Sequence, residues 1–179
     1  MFHVTERLLL RPAWPEDADA LFGGIADEGV VRNLARAPWP YLPEHAREFV
    51  MREQEERLPN FLMTLPGEDG SRIIGSIGFG KTDTGVEIGY WIARPYWGKG
   101  YATEAGRGLI EIARLLGYDR LEAGHFLDNP ASGKVLRKLG FRPTGKVAKR
   151  HSCARGEKVD CALFALDLKE GNVAPPMAA

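Results

Sequence analysis

Gly89-Tyr90-Trp91-Ile92-Ala93-Arg94-Pro95-Tyr96-Trp97-Gly98-Lys99-Gly100-Tyr101-Ala102-Thr103-Glu104-Ala105 is the stretch that decides the fold. Its first part completes a strand, because Val86, Ile88, Tyr90 and Ile92 alternate with Glu87, Gly89 and Trp91 at the period of a pleated backbone. Pro95 has no N–H to give to a ladder and ends it. Gly98-Lys99-Gly100 reads as a bare-backbone turn. Behind it Ala102, Ala105, Leu109, Ile112, Ala113 and Leu116 recur at helical spacing. A strand, a glycine turn and a helix in that order gather free N–H groups and the positive end of a helix dipole. That is an anion site, and above all a phosphate site.

Upstream of this stretch, Phe61 to Leu65 and Ile73 to Phe79 read as strands. Gly67-Glu68-Asp69-Gly70 and Thr82-Asp83-Thr84-Gly85 mark the turns between them. Three strands joined by tight turns make an antiparallel meander. Further back, Glu6 to Arg11 reads as a first strand, followed by a helix entered at Trp14-Pro15-Glu16-Asp17 and a short helix over Glu28 to Leu34. A charged helix is expected from Pro43 to about Arg57. Ala37-Pro38-Trp39-Pro40-Tyr41-Leu42-Pro43 is an ordered but irregular loop. Trp39 and Tyr41 either pack on the core or wall an acceptor site.

Downstream, Gly117 stops the central helix, and Leu121 to Phe126 is a strand. Asn129 caps a short helix with Pro130 at its first position, and Gly140-Phe141 closes it. Phe141 to Val147 and Lys158 to Leu168 read as two final strands. The expectation is one α+β domain over residues 1–168, with residues 169–179 as a disordered tail.

Composition removes several function classes. The 179 residues carry 24 Lys plus Arg and 24 Asp plus Glu, and zero net charge argues against a dedicated nucleic-acid binder. The N-terminal residues lack the basic and apolar regions of a signal peptide, and no apolar run is long enough to span a bilayer. Cys153 and Cys161 are too few for a disulfide scaffold, so a cytoplasmic setting is expected. His3, His45, His125 and His151 show no metal-ligand spacing, so no metal is expected.

The glycine turn almost matches GxGxxG, but a dinucleotide fold needs that turn inside a parallel βαβ unit. Here the preceding strand ends an antiparallel meander, and no GxxxxGK[ST] is present for a nucleotide triphosphatase. Tyr90-Trp91-Ile92, then Pro95 to Ala105, then Asp128-Asn129-Pro130-Ala131-Ser132, then Lys138-Leu139-Gly140-Phe141 together resemble the GNAT acetyltransferase superfamily. Within it they are most similar to the RimJ/RimL-like branch of ribosomal-protein N-terminal acetyltransferases. The resemblance runs from Glu6 to Leu168. It implies a GNAT-like fold, a mostly antiparallel sheet splayed at the CoA cleft and flanked by helices. It also implies an N-acetyltransferase using acetyl-CoA and an amine acceptor, preferably a protein N-terminal α-amine. A small-molecule amine acetyltransferase and a non-catalytic acyl-CoA-binding module are the alternatives. The oligomeric state stays open between monomer and homodimer.

The family's pyrophosphate loop, R/Q-x-x-G-x-G/A, maps onto Trp97 to Ala102, with Trp97 in place of Arg or Gln. Gly98, Lys99, Gly100, Tyr101, Ala102 and Thr103 are then the donor-binding residues, with glycine wherever a phosphate approaches the backbone closely. By the same resemblance Ile92 and Ala93 pair with pantetheine amides, and the N–H near Ile92 stabilises the oxyanion. Asn129 reaches pantetheine from its cap position. An α-amine has a reference pKa of about 7.7–8.0, so its deprotonation needs little beyond one carboxylate. Glu87 is the candidate base; Glu104 is weaker, since a helix dipole explains an acid there. The tyrosine that many members use to protonate the thiolate is Leu136 here, and Ser132 matches the substitute serine of the RimL-like branch. An acidic acceptor cleft would favour basic tails or polycations.

Overall fold

The computed structural model describes residues 1–67 and 70–169. Its strands are β1 (His3–Val4), β2 (Leu9–Arg11), β3 (Asn60–Leu65), β4 (Arg72–Lys81), β5 (Val86–Ile92), β6 (Arg120–Phe126), β7 (Arg142–Ser152) and β8 (Glu157–Asp167). Its helices are α1 (Ala18–Ile25), α2 (Glu28–Val31), α3 (Pro43–Met51), α4 (Tyr101–Leu115) and α5 (Pro130–Lys138), with single 3-10 turns at Pro15–Asp17 and Arg94–Tyr96. Of the tail expected over residues 169–179 only Lys169 is described, with its Nζ 2.9 Å from Asp119 Oδ2; the rest, and the centre of the Gly67–Gly70 turn, lie outside the described residues.

All eight strands join one sheet in the order β1-β2-β3-β4-β5-β6-β8-β7. Neighbours pair antiparallel, save that β5 and β6 run parallel and share the single register pair Glu87↔Glu122. Two apolar clusters cover the two faces. On one, Leu109, Ile112 and Ala113 of α4 and Leu136 of α5 pack on Ile88, Ile92, Leu121 and Phe164. On the other, Leu21, Val31, Ala46 and Val50 of α1 to α3 pack on Leu62, Trp91 and Ala93. The period-two alternation of β5 therefore feeds both cores, which is why it reads as apolar on every position except Glu87 and Gly89.

Four boundaries differ from the sequence expectation. The first strand is a hairpin, with the Thr5 N–H donating to the Leu8 carbonyl at 2.9 Å and β2 starting only at Leu9. The helix expected to reach Arg57 stops at Met51, where Arg52 turns extended. Residues 51–57 are all exposed, so no buried stripe holds further turns in place. The short helix stops at Val31 rather than Leu34. The strand expected to end at Val147 runs on to Ser152, because β8 keeps pairing with it to Ser152↔Glu157.

Candidate active site

Strands β5 and β6 touch at one register pair near their starts and then diverge. A cavity of about 490 Å³ fills the opening, within the usual range for small-molecule sites. The Ala93 N–H donates to the Ile74 carbonyl at 2.8 Å, and antiparallel pairing alternates. Residues 87, 89, 91 and 93 thus turn their backbone groups to β4, and Ile88, Tyr90 and Ile92 turn theirs toward β6, where Ile88 flanks the Glu87↔Glu122 pairing and Tyr90 and Ile92 are left to the cavity. Side chains alternate as well, so Glu87 and Gly89 look to the α1–α3 face and Tyr90 to the α4–α5 face. The cavity thereby connects the two faces.

The first end is built by the glycine turn. Gly98 (φ 73°) and Gly100 (φ 83°) adopt the left-handed conformation that favours glycine. The first helical bond of α4 runs from the Glu104 N–H to the Gly100 carbonyl at 3.0 Å. The six N–H groups from Gly98 to Thr103 therefore have no partner among the described residues. Trp97 explains its own presence: its indole N–H donates to the Ile92 carbonyl at 2.6 Å and fastens the turn to the end of β5. Glu104 accepts from the Thr5 hydroxyl at 2.6 Å and from the Arg7 backbone N–H and Nε at 2.7 Å each. Arg7 also donates to the Lys99 carbonyl at 3.2 Å and lies over the Tyr101 ring at 4.3 Å. Burial alone would raise Glu104, but the bonds from Thr5 and Arg7 hold it below the ordinary glutamate value.

Helix α5 supplies the cavity rim. Asn129 caps it by accepting from the Ser132 N–H at 3.4 Å. Tyr90, given no chemical role in the sequence beyond its place in the strand and in the GNAT-like motif, brings its hydroxyl to 2.8 Å from Ser132 Oγ; either oxygen can donate. It also donates to the Ser132 carbonyl at 3.3 Å. Burial pushes the Tyr90 phenol up to about 12, against the smaller opposing pull of the Ser132 bond.

The second end lies on the α1–α3 face. Arg150 Nη1 donates to Glu87 Oε2 at 2.6 Å. Cys161 stands beside them, its thiol pushed up by burial. Gly124 keeps the floor low, since a Cβ there would stand 2.7 Å from Cys161 Sγ. The wall is Asn33–Ala35 after α2, clamped to the β7–β8 turn. Ser152 Oγ donates to the Leu34 carbonyl at 3.4 Å, the Cys153 N–H to Ala35 at 2.9 Å, and Arg155 Nε to Arg32 at 2.8 Å.

Of the residues singled out from sequence, Glu87, Ile92, Gly98, Gly100, Tyr101, Ala102, Thr103, Asn129 and Ser132 line this one cavity. Ala93 does not; its N–H is taken by Ile74 and its side chain packs 3.5 Å from the Cβ position of Gly24. Lys99 does not either, and its Nζ lies 5.5 Å from the Tyr96 ring. Tyr41 is buried in the α1–α3 core and Trp39 is exposed, and neither lines the cavity. His125 lines it with Nδ1 2.8 Å from the Phe126 carbonyl. No group of three or more metal-ligating side chains occurs among the described residues, and none of their helices is long and apolar enough to cross a membrane. The sequence could have yielded Tyr90 by its shared strand face with Ile88 and Ile92. Arg150 lay beyond the expected strand end and gave no such signal.

Residues 7–142 match the acetyltransferase (GNAT) domain model. An N-acetyltransferase named p20 from Bacillus licheniformis is 31% identical over 172 residues, covering 93% of this chain and 96% of the relative. A GNAT-family acetyltransferase crystal structure from Bacillus anthracis superposes with a TM-score of 0.79 at 28% identity, covering 93% of this chain and 98% of that one. The fold is shared with RimL, the ribosomal L7/L12 α-N-protein acetyltransferase, in complex with coenzyme A (TM-score 0.77, 20% identity, 93% and 98% covered). By its sequence match, its splayed sheet and its glycine turn, the chain belongs to the GNAT family and is an N-acetyltransferase.

Proposed function

We propose that this chain transfers acetyl from acetyl-CoA to an α-amine at a protein N-terminus, in a cytoplasmic setting. The observation that carries the donor half is the run of six unpartnered N–H groups from Gly98 to Thr103, at the head of a 15-residue helix. Such a run suits a pyrophosphate, through oriented backbone amides and the helix dipole. Acetyl-CoA, when bound, supplies an acetyl group activated as a thioester. The Ile92 N–H faces the cavity and is placed to donate to an oxygen that gains negative charge. Asn129 lines the cavity, and its amide nitrogen has no partner among the described residues. Tyr90 and Ser132 form a hydroxyl pair that can pass a proton to a departing thiolate. Glu87 uses Oε2 for Arg150 and keeps Oε1 without a partner among the described residues, available to take a proton from the amine or through water.

The α-amine acceptor is supported by the shared fold with RimL and by the end of the cavity that Glu87 lines. The test is thiol release from acetyl-CoA across N-terminal peptides, free amino acids, spermidine and an aminoglycoside, with mass spectrometry locating the acetyl group. Acetylation at a peptide α-amine is expected. Turnover of small amines alone would remove the peptide reading. Tight CoA binding with no thiol release from any amine would make the chain a binding module.

A further inference from the structure

A guanidinium stands at the second end of the cavity, that of Arg150. Arg150 reaches it from β7 and is about one-third exposed, at 31% of its side chain. Only Nη1 is engaged, by Glu87, among the described residues. A guanidinium offers five donors in a planar fork, so one edge of Arg150 remains for a ligand. Arg36 approaches the same patch: its Nη2 and Glu87 Cγ lie 3.8 and 3.7 Å from the position of a Cβ on Gly80. Arg36 has no carboxylate at ion-pair distance among the described residues. Glu122, the register partner of Glu87, is held by the Thr82 and Thr84 hydroxyls at 2.9 and 2.8 Å. Arg150 and Arg36 thus stand on either side of Glu87, and Glu122 is turned to the Thr82 and Thr84 hydroxyls.

We infer that the acceptor carries a carboxylate close to its amine, and that the free edge of Arg150 binds that carboxylate. The inference rests on the reading that an amine enters beside Glu87. The two charged groups divide the work: Glu87 Oε1 serves the amine, and the guanidinium fork matches the carboxylate. Polyamines and aminoglycosides carry only positive charge and offer no acceptor to the free edge of Arg150. The carboxylate has two sources, the α-carboxylate of a free amino acid or an acidic side chain in the first residues of a peptide.

The experiment compares each acid with its neutral twin: the peptide Ser-Asp-Ala-amide with Ser-Asn-Ala-amide, and serine with serinamide, with spermidine alongside. Initial rates of thiol release give kcat and KM. Calorimetry on the CoA complex gives binding of the same compounds. At least one acid is expected to show a KM and a Kd about tenfold or more below its twin, with spermidine weakest, and the pair that shows it identifies the source. In Arg150→Gln the acid-over-amide ratio falls to near one. It does the same in Glu87→Gln/Arg150→Gln, where no carboxylate is left orphaned, while Arg150→Lys keeps part of it. Equal constants for acids and amides, or a ratio that survives both variants, overturns the inference. Tighter binding of an acid with no thiol release from any compound would sink the transferase reading and leave the carboxylate site standing.

Discussion

The Tyr90 hydroxyl lies 2.8 Å from Ser132 Oγ, tying the cavity-facing side of β5 to the first turn of α5. Two hydroxyls in one bond act as a unit, so their removals should not multiply. Leu136 takes the place where many GNAT proteins have a tyrosine, and this pair can serve instead. A thiol leaving group has a reference pKa of about 8.5 and needs modest help. Ser132→Ala and Tyr90→Phe are each expected to lower kcat by about tenfold, below the usual yield of acid catalysis. The double variant should lose little more. Steady-state kinetics check this; a double variant at the product of the two single losses would show independent roles.

Gly100 combines a left-handed backbone, at φ 83°, with the centre of the unpartnered N–H run. Gly100→Ala strains that conformation by about 1–2 kcal/mol. Gly100→Asp adds a carboxylate where an anion is expected. Its CoA affinity should fall by about 100-fold or more, roughly 3 kcal/mol. Titration calorimetry with CoA reads the change directly, and an unaltered Kd would rule out the phosphate assignment.

Glu104 gives a pH dependence with a defined sign. Its folded pKa lies below its unfolded value of 4.5 despite burial, because of Thr5 and Arg7. The tether therefore stabilises above the unfolded carboxylate range and is lost as pH falls through the folded value. Glu104→Gln should cost about 2 kcal/mol at pH 7, from weakened charged hydrogen bonds. Urea midpoints of the two proteins should converge as pH falls below about 4. A constant gap across that range would contradict the assignment.

Gly75 stands opposite Ile92 in the β4–β5 register. A Cβ there would collide with the Trp91 carbonyl oxygen and come within 3.2 Å of Ile92 Cα. Both are backbone atoms of the strand that forms the cavity edge, so β5 itself must move. Gly75→Ala should destabilise by about 2–3 kcal/mol and weaken CoA binding in parallel. Urea unfolding with the midpoint unmoved would falsify this.

The glycine-turn end of the cavity was legible because its geometry is local. Trp97 to Thr103 and Asn129 to Ser132 are a turn, two helix starts and a cap, all written in adjacent residues. The opposite end of the cavity comes from Asn33–Ala35, Glu87, Arg150 and Cys161. The strand order β5-β6-β8-β7 and the clamp of Asn33–Ala35 on the β7–β8 turn bring these together, and neither leaves a mark in a single sequence. Arg150 was hidden further by the early end assigned to its strand. Tyr90 and Ser132 are 42 residues apart, so neither announces the other. The overlong third helix has a related cause: Glu53, Gln54, Glu55 and Glu56 have good helical propensity, but nothing buries them.

The tether of the β1–β2 hairpin has a consequence for biosynthesis. Arg7 and its acceptor Glu104 are 97 positions apart. At about 5–20 residues per second, the hairpin waits roughly 5–20 s for that partner to be made. The strands that receive the hairpin are likewise synthesised later, so the residues translated early are secured late. The anion turn in turn gains its outer brace from segments that have already left the ribosome. The N-terminal edge can thus close only once residues 99–104 are available, while the cavity itself waits longer, for Asn129, Ser132 and Arg150.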